Sequence, residues 1–138
     1  MSGHKFLTLV LFAVSLTAGL FASGTASAQA GPRVFELRTY TSHEGRLNDV
    51  INRFRDHTIK YFDRHGLGSI GYWVPKERPN TLYLVLAPPS RGAPAKNWEA
   101  LCNDPEWKAA RGASEANGPI LVKTESVFMD PTAFSQLK

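Results

Sequence analysis

The sequence predicts an α+β domain with its elements in the order β-α-β-β-α-β. Three observations carry that prediction. Four short segments alternate or run apolar in the manner of strands. Two longer segments repeat apolar residues at helical spacing. Gly and Pro clusters fall at the joints between them. The chain has 138 residues, enough for one ordinary domain and too few for a multi-domain enzyme, a large Rossmann protein or a TIM barrel. Its 8 Phe, 4 Tyr and 3 Trp can fill a core, which argues against disorder.

The N-terminus is read apart from the domain. Met1 to Lys5 is a short, weakly basic head, Phe6 to Leu20 is apolar and uncharged, and Ala26-Ser27-Ala28 is an A-x-A cleavage pattern. Residues 1–28 therefore read as a signal peptide, and 29–138 as the domain. The competing reading is an uncleaved anchor, but the apolar run is short for a span of about 20 residues. The expectation is export, periplasmic or fully secreted, with no stable membrane anchoring after cleavage. The net charge is +4 and falls by one when Lys5 leaves, too little to indicate a nucleic-acid partner. Cys102 is the only cysteine, so no intrachain disulfide can form.

The elements follow in order. Val34 to Thr41 alternates and is rich in β-branched and aromatic residues, a first strand. Thr41-Ser42-His43-Glu44 matches a capping box, with Thr41 as N-cap of a long helix. Leu47, Val50, Ile51, Phe54, Thr58, Tyr61 and Phe62 form its apolar stripe, and Arg64-His65-Gly66 its end. Ser69 to Val74 is a second strand and Thr81 to Ala87 a third, stopped by Pro88-Pro89. Ala95 to Asn103 is helical, and Asp104-Pro105 restarts the helix with an N-cap and Pro at the first position. Asn117-Gly118-Pro119 ends it near Ala116. Ile120 to Met129 is the last strand, followed by a short tail. This is the split β-α-β, ferredoxin-like order: one antiparallel sheet with two helices on one face.

Three stretches resemble a known family. Phe35-Glu36-Leu37-Arg38-Thr39-Tyr40-Thr41 looks like the opening motif of the NIPSNAP family. Asp104-Pro105-Glu106-Trp107 is similar to its second signature. Glu125-Ser126-Val127-Phe128-Met129-Asp130-Pro131-Thr132-Ala133-Phe134-Ser135 resembles its C-terminal motif. The likeness spans Val34 to Ser135. It departs at Pro88 to Pro94, where the family has an aromatic and an Arg-rich helix start and only Arg91 remains. The resemblance implies a dimeric α+β barrel, in which two such sheets pack face to face. It implies no defined reaction. Related barrels include cofactor-independent monooxygenases, isomerases and haem enzymes.

Most chemical motifs dissolve on inspection. Gly66-Leu67-Gly68-Ser69-Ile70-Gly71 has the letters of a dinucleotide loop, but it follows a helix and opens a strand, the reverse of what phosphate binding needs. The charges of the first helix, Arg46, Asp49, Arg53, Asp56, Lys60, Asp63 and Arg64, alternate in sign and read as a solvated face. His57 and His65 lie about 12 Å apart along it, too far for one metal ion. No metal and no cofactor are expected, and His65 is the least unsuitable haem ligand. Cys102 reads as a small core residue, and Trp98 and Trp107 as core or cavity wall.

Strand alternation suggests the site. One sheet face is expected to be apolar and covered by helices. The other is expected to collect Glu36, Arg38, Tyr40, Tyr72, Tyr83, Lys123 and Glu125, with Arg38 paired to Glu36 or Glu125. In a dimer that face is either a polar interface or the lining of a ligand cavity. The barrel-interior or ligand-binding candidates are thus Glu36, Arg38, Tyr40, Tyr72, Tyr83, Glu125 and His57. The favoured function is an exported homodimer binding a small hydrophobic or aromatic molecule. One alternative is a cofactor-independent monooxygenase or isomerase, with His57 or Glu125 as base. Another is a protein-interaction module using the Pro88 to Pro94 loop, which its prolines make a stiff, exposed segment.

Overall fold

The computed structural model describes residues 33–138; the expected signal peptide, residues 1–28, lies outside them. The elements are β1 (Phe35–Ser42), α1 (Leu47–Arg53), a π-helical segment (Phe54–Thr58), α2 (Ile59–Arg64), β2 (Ser69–Trp73), β3 (Thr81–Leu86), α3 (Ala93–Asn103), α4 (Pro105–Ser114) and β4 (Leu121–Met129). α1, the π-helical segment and α2 run on as one helix, because the junction residues Phe54 and Ile59 keep helical dihedrals. The sheet order is β2-β3-β1-β4, with every neighbouring pair antiparallel. This is the predicted α+β, ferredoxin-like arrangement, with the helices layered on one face of the sheet. Among the described residues no helix is long and apolar enough to cross a membrane.

The core lies between sheet and helices. Leu82, Leu84 and Leu86 of β3 face Val50, Phe54, Tyr61 and Phe62, with Leu101, Trp107 and Ile120 closing the ends. Leu84 and Leu86 are fully buried. Removing such a side chain from water stabilises the fold by about 1.5–3 kcal/mol.

The first helix starts later than its letters suggest. Thr41 is not an N-cap. It pairs with Thr81 on one side and Lys123 on the other, so the sheet ladder claims it. A turn at 43–46 follows, with Gly45 at φ +71° and the Arg46 amide donating to the His43 carbonyl at 3.0 Å. The end of this helix is as expected. The Leu67 amide donates to the Phe62 carbonyl (2.9 Å) and that of Gly66 to Asp63 (3.1 Å), a Schellman closure with Gly66 at φ +67°. Gly68 has φ +61°, and any side chain there would collide with the Ala87 carbonyl. The glycine-rich stretch is therefore a helix cap and a strand entry. Asp104 caps α4 as predicted, Oδ1 accepting from the amides of Glu106 (2.8 Å) and Trp107 (3.1 Å).

Two further expectations change. Cys102 is exposed rather than in the core: α3 turns Leu101 inward, and the next residue points outward. The loop before α3 is not wholly exposed. Pro88 and Pro94 are buried, Pro89 to Gly92 are exposed, and Arg91 forms an ion pair with Asp130.

Candidate functional site

Sheet register decides which side chains meet. Arg38 sits opposite Leu84 and Ser126, and Tyr40 opposite Leu82 and Thr124. Glu36, Arg38 and Tyr40 therefore share the face of the buried leucines and point at the helices. Tyr72, opposite Leu84, shares that face too. Tyr83 and Glu125 both pair with Thr39, one residue out of phase, and lie on the other face. This corrects the expectation of one polar face holding all of them. Alternation gave the parity within each strand. For β1 and β2 the face is the reverse of the expected one, because the helices cover Glu36, Arg38, Tyr40 and Tyr72 rather than Phe35, Leu37, Thr39 and Trp73; Tyr83, Lys123 and Glu125 lie on the face expected for them.

Glu36 anchors the line. It is 1% exposed, and its Oε1 accepts from Arg38 Nη1 (2.6 Å) and Ser126 Oγ (2.6 Å). Its Oε2 accepts from Trp98 Nε1 of α3 (2.9 Å). One carboxylate thus ties β1, β4 and α3 together, and of the two partners foreseen for Arg38 it is Glu36 that pairs. The Arg38 guanidinium lies over the Trp98 ring at 3.9 Å, and its Nε donates to Tyr40 Oη at 3.1 Å. Burial opposes the Arg38 charge, but Tyr40 and Glu36 beside it raise its pKa on balance. Burial pushes the Tyr40 hydroxyl up, against the pull of Arg38, so it stays protonated at neutral pH.

The helices supply the opposite wall. Arg53 is buried, its Nη1 donating to Glu115 Oε1 at 3.0 Å. Burial pulls its pKa down, against Glu115. Glu115 is shared with Arg111, whose Nε lies 3.8 Å from Oε2. Arg53 ends α1, where the helix widens into the π-helical segment. The Thr58 hydroxyl donates back to the Arg53 carbonyl at 3.2 Å, five residues earlier. Such π turns recur at functional sites.

Between the layers is a cavity of about 170 Å³, lined by Arg38, Tyr40, Arg53, Trp98, Trp107 and Arg111 among others. Phe54 and Phe62 also reach it; their rings meet edge to face at 5.9 Å. The cavity is an apolar, aromatic space with cationic side chains in its wall. A larger depression of about 1000 Å³ lies where the turn before β2 meets the C-terminal tail, but it is open and walled by turns and exposed Arg33, Asp63 and Lys138. The smaller cavity has the better chemistry.

The other candidates lie elsewhere. Tyr72 packs on Phe54 at 5.7 Å and donates to Ser69 Oγ at 2.6 Å, beside the cavity but not in its wall. Tyr83 accepts from Arg78 Nη1 at 3.2 Å. Glu125 is exposed and paired with Lys123 at 3.0 Å. His57 lines a surface groove against Ala110 and Ser114 of α4. His65 Nε2 lies 2.8 Å from Asp104 Oδ2, at the outer edge of the helical layer. Arg53 and Arg111 went unrecognised as wall residues. A signal for both existed: Arg53 follows Val50 by three positions and Arg111 follows Trp107 by four, at the edge of each buried stripe.

A family model described as NIPSNAP matches residues 35–136. The chain belongs to the NIPSNAP family. The match takes in every residue of the cavity wall. NIPSNAP proteins of known structure share the fold. One from Agrobacterium tumefaciens is 21% identical, with a TM-score of 0.68, covering 77% of this chain and 99% of its own. A NIPSNAP domain protein from Burkholderia xenovorans is 24% identical, with a TM-score of 0.64, covering 74% and 97%. SnoaB, a cofactor-independent oxygenase from Streptomyces nogalater, is a more distant likeness: 18% identity, TM-score 0.52, covering 77% and 97%. No curated protein matches the chain. The motifs quoted for NIPSNAP fall on β1, the capped start of α4, and β4 with its tail.

Proposed function

We propose that this NIPSNAP protein is an exported homodimer that binds a small hydrophobic or aromatic molecule between its sheet and its helices. The observation that carries the ligand is the cavity of about 170 Å³ walled by Tyr40, Phe54, Phe62, Trp98 and Trp107. A dry cavity of about 150 Å³ takes benzene, so the space suits a single ring.

The sheet face away from the helices supports the dimer. Leu37, Tyr83 and Val85 form its centre, with Trp73 (52% exposed) and Val127 (55%) at its sides. A contiguous apolar face of this kind marks an interaction surface. A second copy supplies the matching surface, since two such faces are self-complementary about a two-fold axis. Export rests on the leader-like pattern of residues 1–28 and predicts a mature chain beginning at Gln29.

The test is native mass spectrometry of protein purified from its own host. The expected spectrum is a dimer of the mature chain carrying a retained small molecule. A monomer at micromolar concentration that gains no mass with aromatic probes would overturn the reading.

A second reading is oxygen chemistry without a cofactor, suggested by the SnoaB likeness. It requires a base at the cavity. His57 and Glu125, the bases expected for it, are not in the wall. The binding reading is therefore preferred.

A further inference from the structure

The cavity wall contains hydrogen-bond donors that the described residues leave without acceptors. Arg53 is 5% exposed, and its Nε is buried with no partner among the described residues. A buried guanidinium N–H without an acceptor is costly, so such a group marks a place where a ligand completes the bonding. The Tyr40 hydroxyl accepts from Arg38, which leaves its own proton free to donate. Arg53 and Tyr40 are near enough for each to influence the other's ionisation. Charge points the same way. The wall carries Arg38, Arg53 and Arg111, and among the described residues no carboxylate belongs to it. Glu36 and Glu115, which pair with these arginines, are not lining residues.

We infer that the occupant is a single-ring carboxylate. Its ring lies among the aromatic side chains, and its anionic group is held by the Nε edge of Arg53, the Tyr40 hydroxyl and the charge of Arg111. The inference rests on the proposed ligand-binding role of this cavity. Arg53 has committed Nη1 to Glu115, so its Nε edge is the one available, and a guanidinium edge matches a carboxylate. The volume accommodates one ring and its anionic group, as a cavity of about 150 Å³ accommodates benzene.

The experiment titrates the full-length domain with benzoate and with its neutral isostere benzamide, following tryptophan fluorescence and calorimetric heat at about pH 7, where the acid is ionised. Benzoate is expected to bind at least about tenfold more tightly than benzamide. R53Q is expected to erase that difference while leaving benzamide binding in place. R111Q, at a side chain 60% exposed and so compatible with folding, is expected to weaken benzoate severalfold and leave benzamide unchanged, which keeps the test open if R53Q does not fold. Equal binding of the two probes would overturn the carboxylate inference and leave the cavity reading standing. Binding of neither would remove both.

Discussion

Replacing Glu36 tests whether one buried carboxylate holds the two layers together. The side chain is 1% exposed and accepts three hydrogen bonds, from Arg38, Ser126 and Trp98. In Glu36→Ala all three donors lose their acceptor, and Arg38, whose side chain is only 17% exposed, is left as a nearly buried unpaired charge. Removing one partner of a buried pair costs about 3–5 kcal/mol. Glu36→Gln keeps the shape, and its carbonyl can still accept from Arg38 and Ser126, but its amide then meets the Trp98 N–H donor to donor. A loss of about 2–3 kcal/mol is expected, set by one conflicted bond and the lost charge. For a domain of this size 3 kcal/mol lowers Tm by about 12–24 °C. The assay is urea denaturation followed by tryptophan fluorescence, with Trp98→Phe and the double variant completing a cycle. The Glu36–Trp98 coupling is expected at about 1–2 kcal/mol. A Glu36→Ala loss below about 1 kcal/mol would place the pair with ordinary surface ion pairs and refute the reasoning.

Three other outcomes are expected. The hydrogen bond from His65, with those of the Trp107 and Glu106 amides and Arg64, holds the Asp104 carboxyl down to about 2. Because the folded value lies below the unfolded one, this contribution is complete above about pH 4 and is lost as pH falls toward 2. Acid denaturation of Asp104→Asn should therefore be flatter across that window than that of the wild type; parallel curves would refute the assignment. Burial raises the Tyr40 hydroxyl, so stability should fall as pH rises above about 10, where the unfolded tyrosine ionises first. Denaturant titrations at increasing alkaline pH should show this loss reduced in Tyr40→Phe, and an unchanged loss would count against it. Val127→Glu puts a charge on the exposed sheet face opposite Leu37, and light scattering should then report a monomer that keeps wild-type circular dichroism; a persistent dimer would move the interface elsewhere.

Most of the architecture was legible because strands and helix ends are local. The Schellman closure at Gly66 and the cap at Asp104 use residues within a few positions of each other, and their letters suffice. Thr41-Ser42-His43-Glu44 shows the limit. Its letters make a capping box, but Thr41 lies between two paired strands, and neither partner is near it in sequence. The side chains of β1 and β2 show the same limit. Alternation tells which residues of a strand share a face, not which face the helices cover. The long-range facts that settle it are Trp98 reaching Glu36 and Arg53 reaching Glu115 across 62 residues each. Arg53 is hidden by its charge, which reads as one more member of the alternating helix charges although it falls three residues after Val50 in α1.

The placement of the polar line accounts for both proposed interactions at once. A helix-covered sheet face made of leucines alone would close on itself. Here Glu36, Arg38 and Tyr40 replace apolar side chains along the central strand β1, opposite Leu86, Leu84 and Leu82. Arg38 cannot fill space as a leucine does, and it is held in place by Glu36, Tyr40 and the Trp98 ring. The helical layer is thereby held off β4, where Thr124 borders the cavity and Ser126 is tied to Glu36. The same parity sends Leu37, Val85, Tyr83 and Val127 to the face without helices. These side chains form an apolar row beside the exposed Lys123–Glu125 pair, and that surface calls for a partner. Cavity and open face are then two consequences of one register. A shift of β1 by a single residue would exchange its two faces, closing the cavity with Phe35, Leu37 and Thr39 and exposing Glu36, Arg38 and Tyr40.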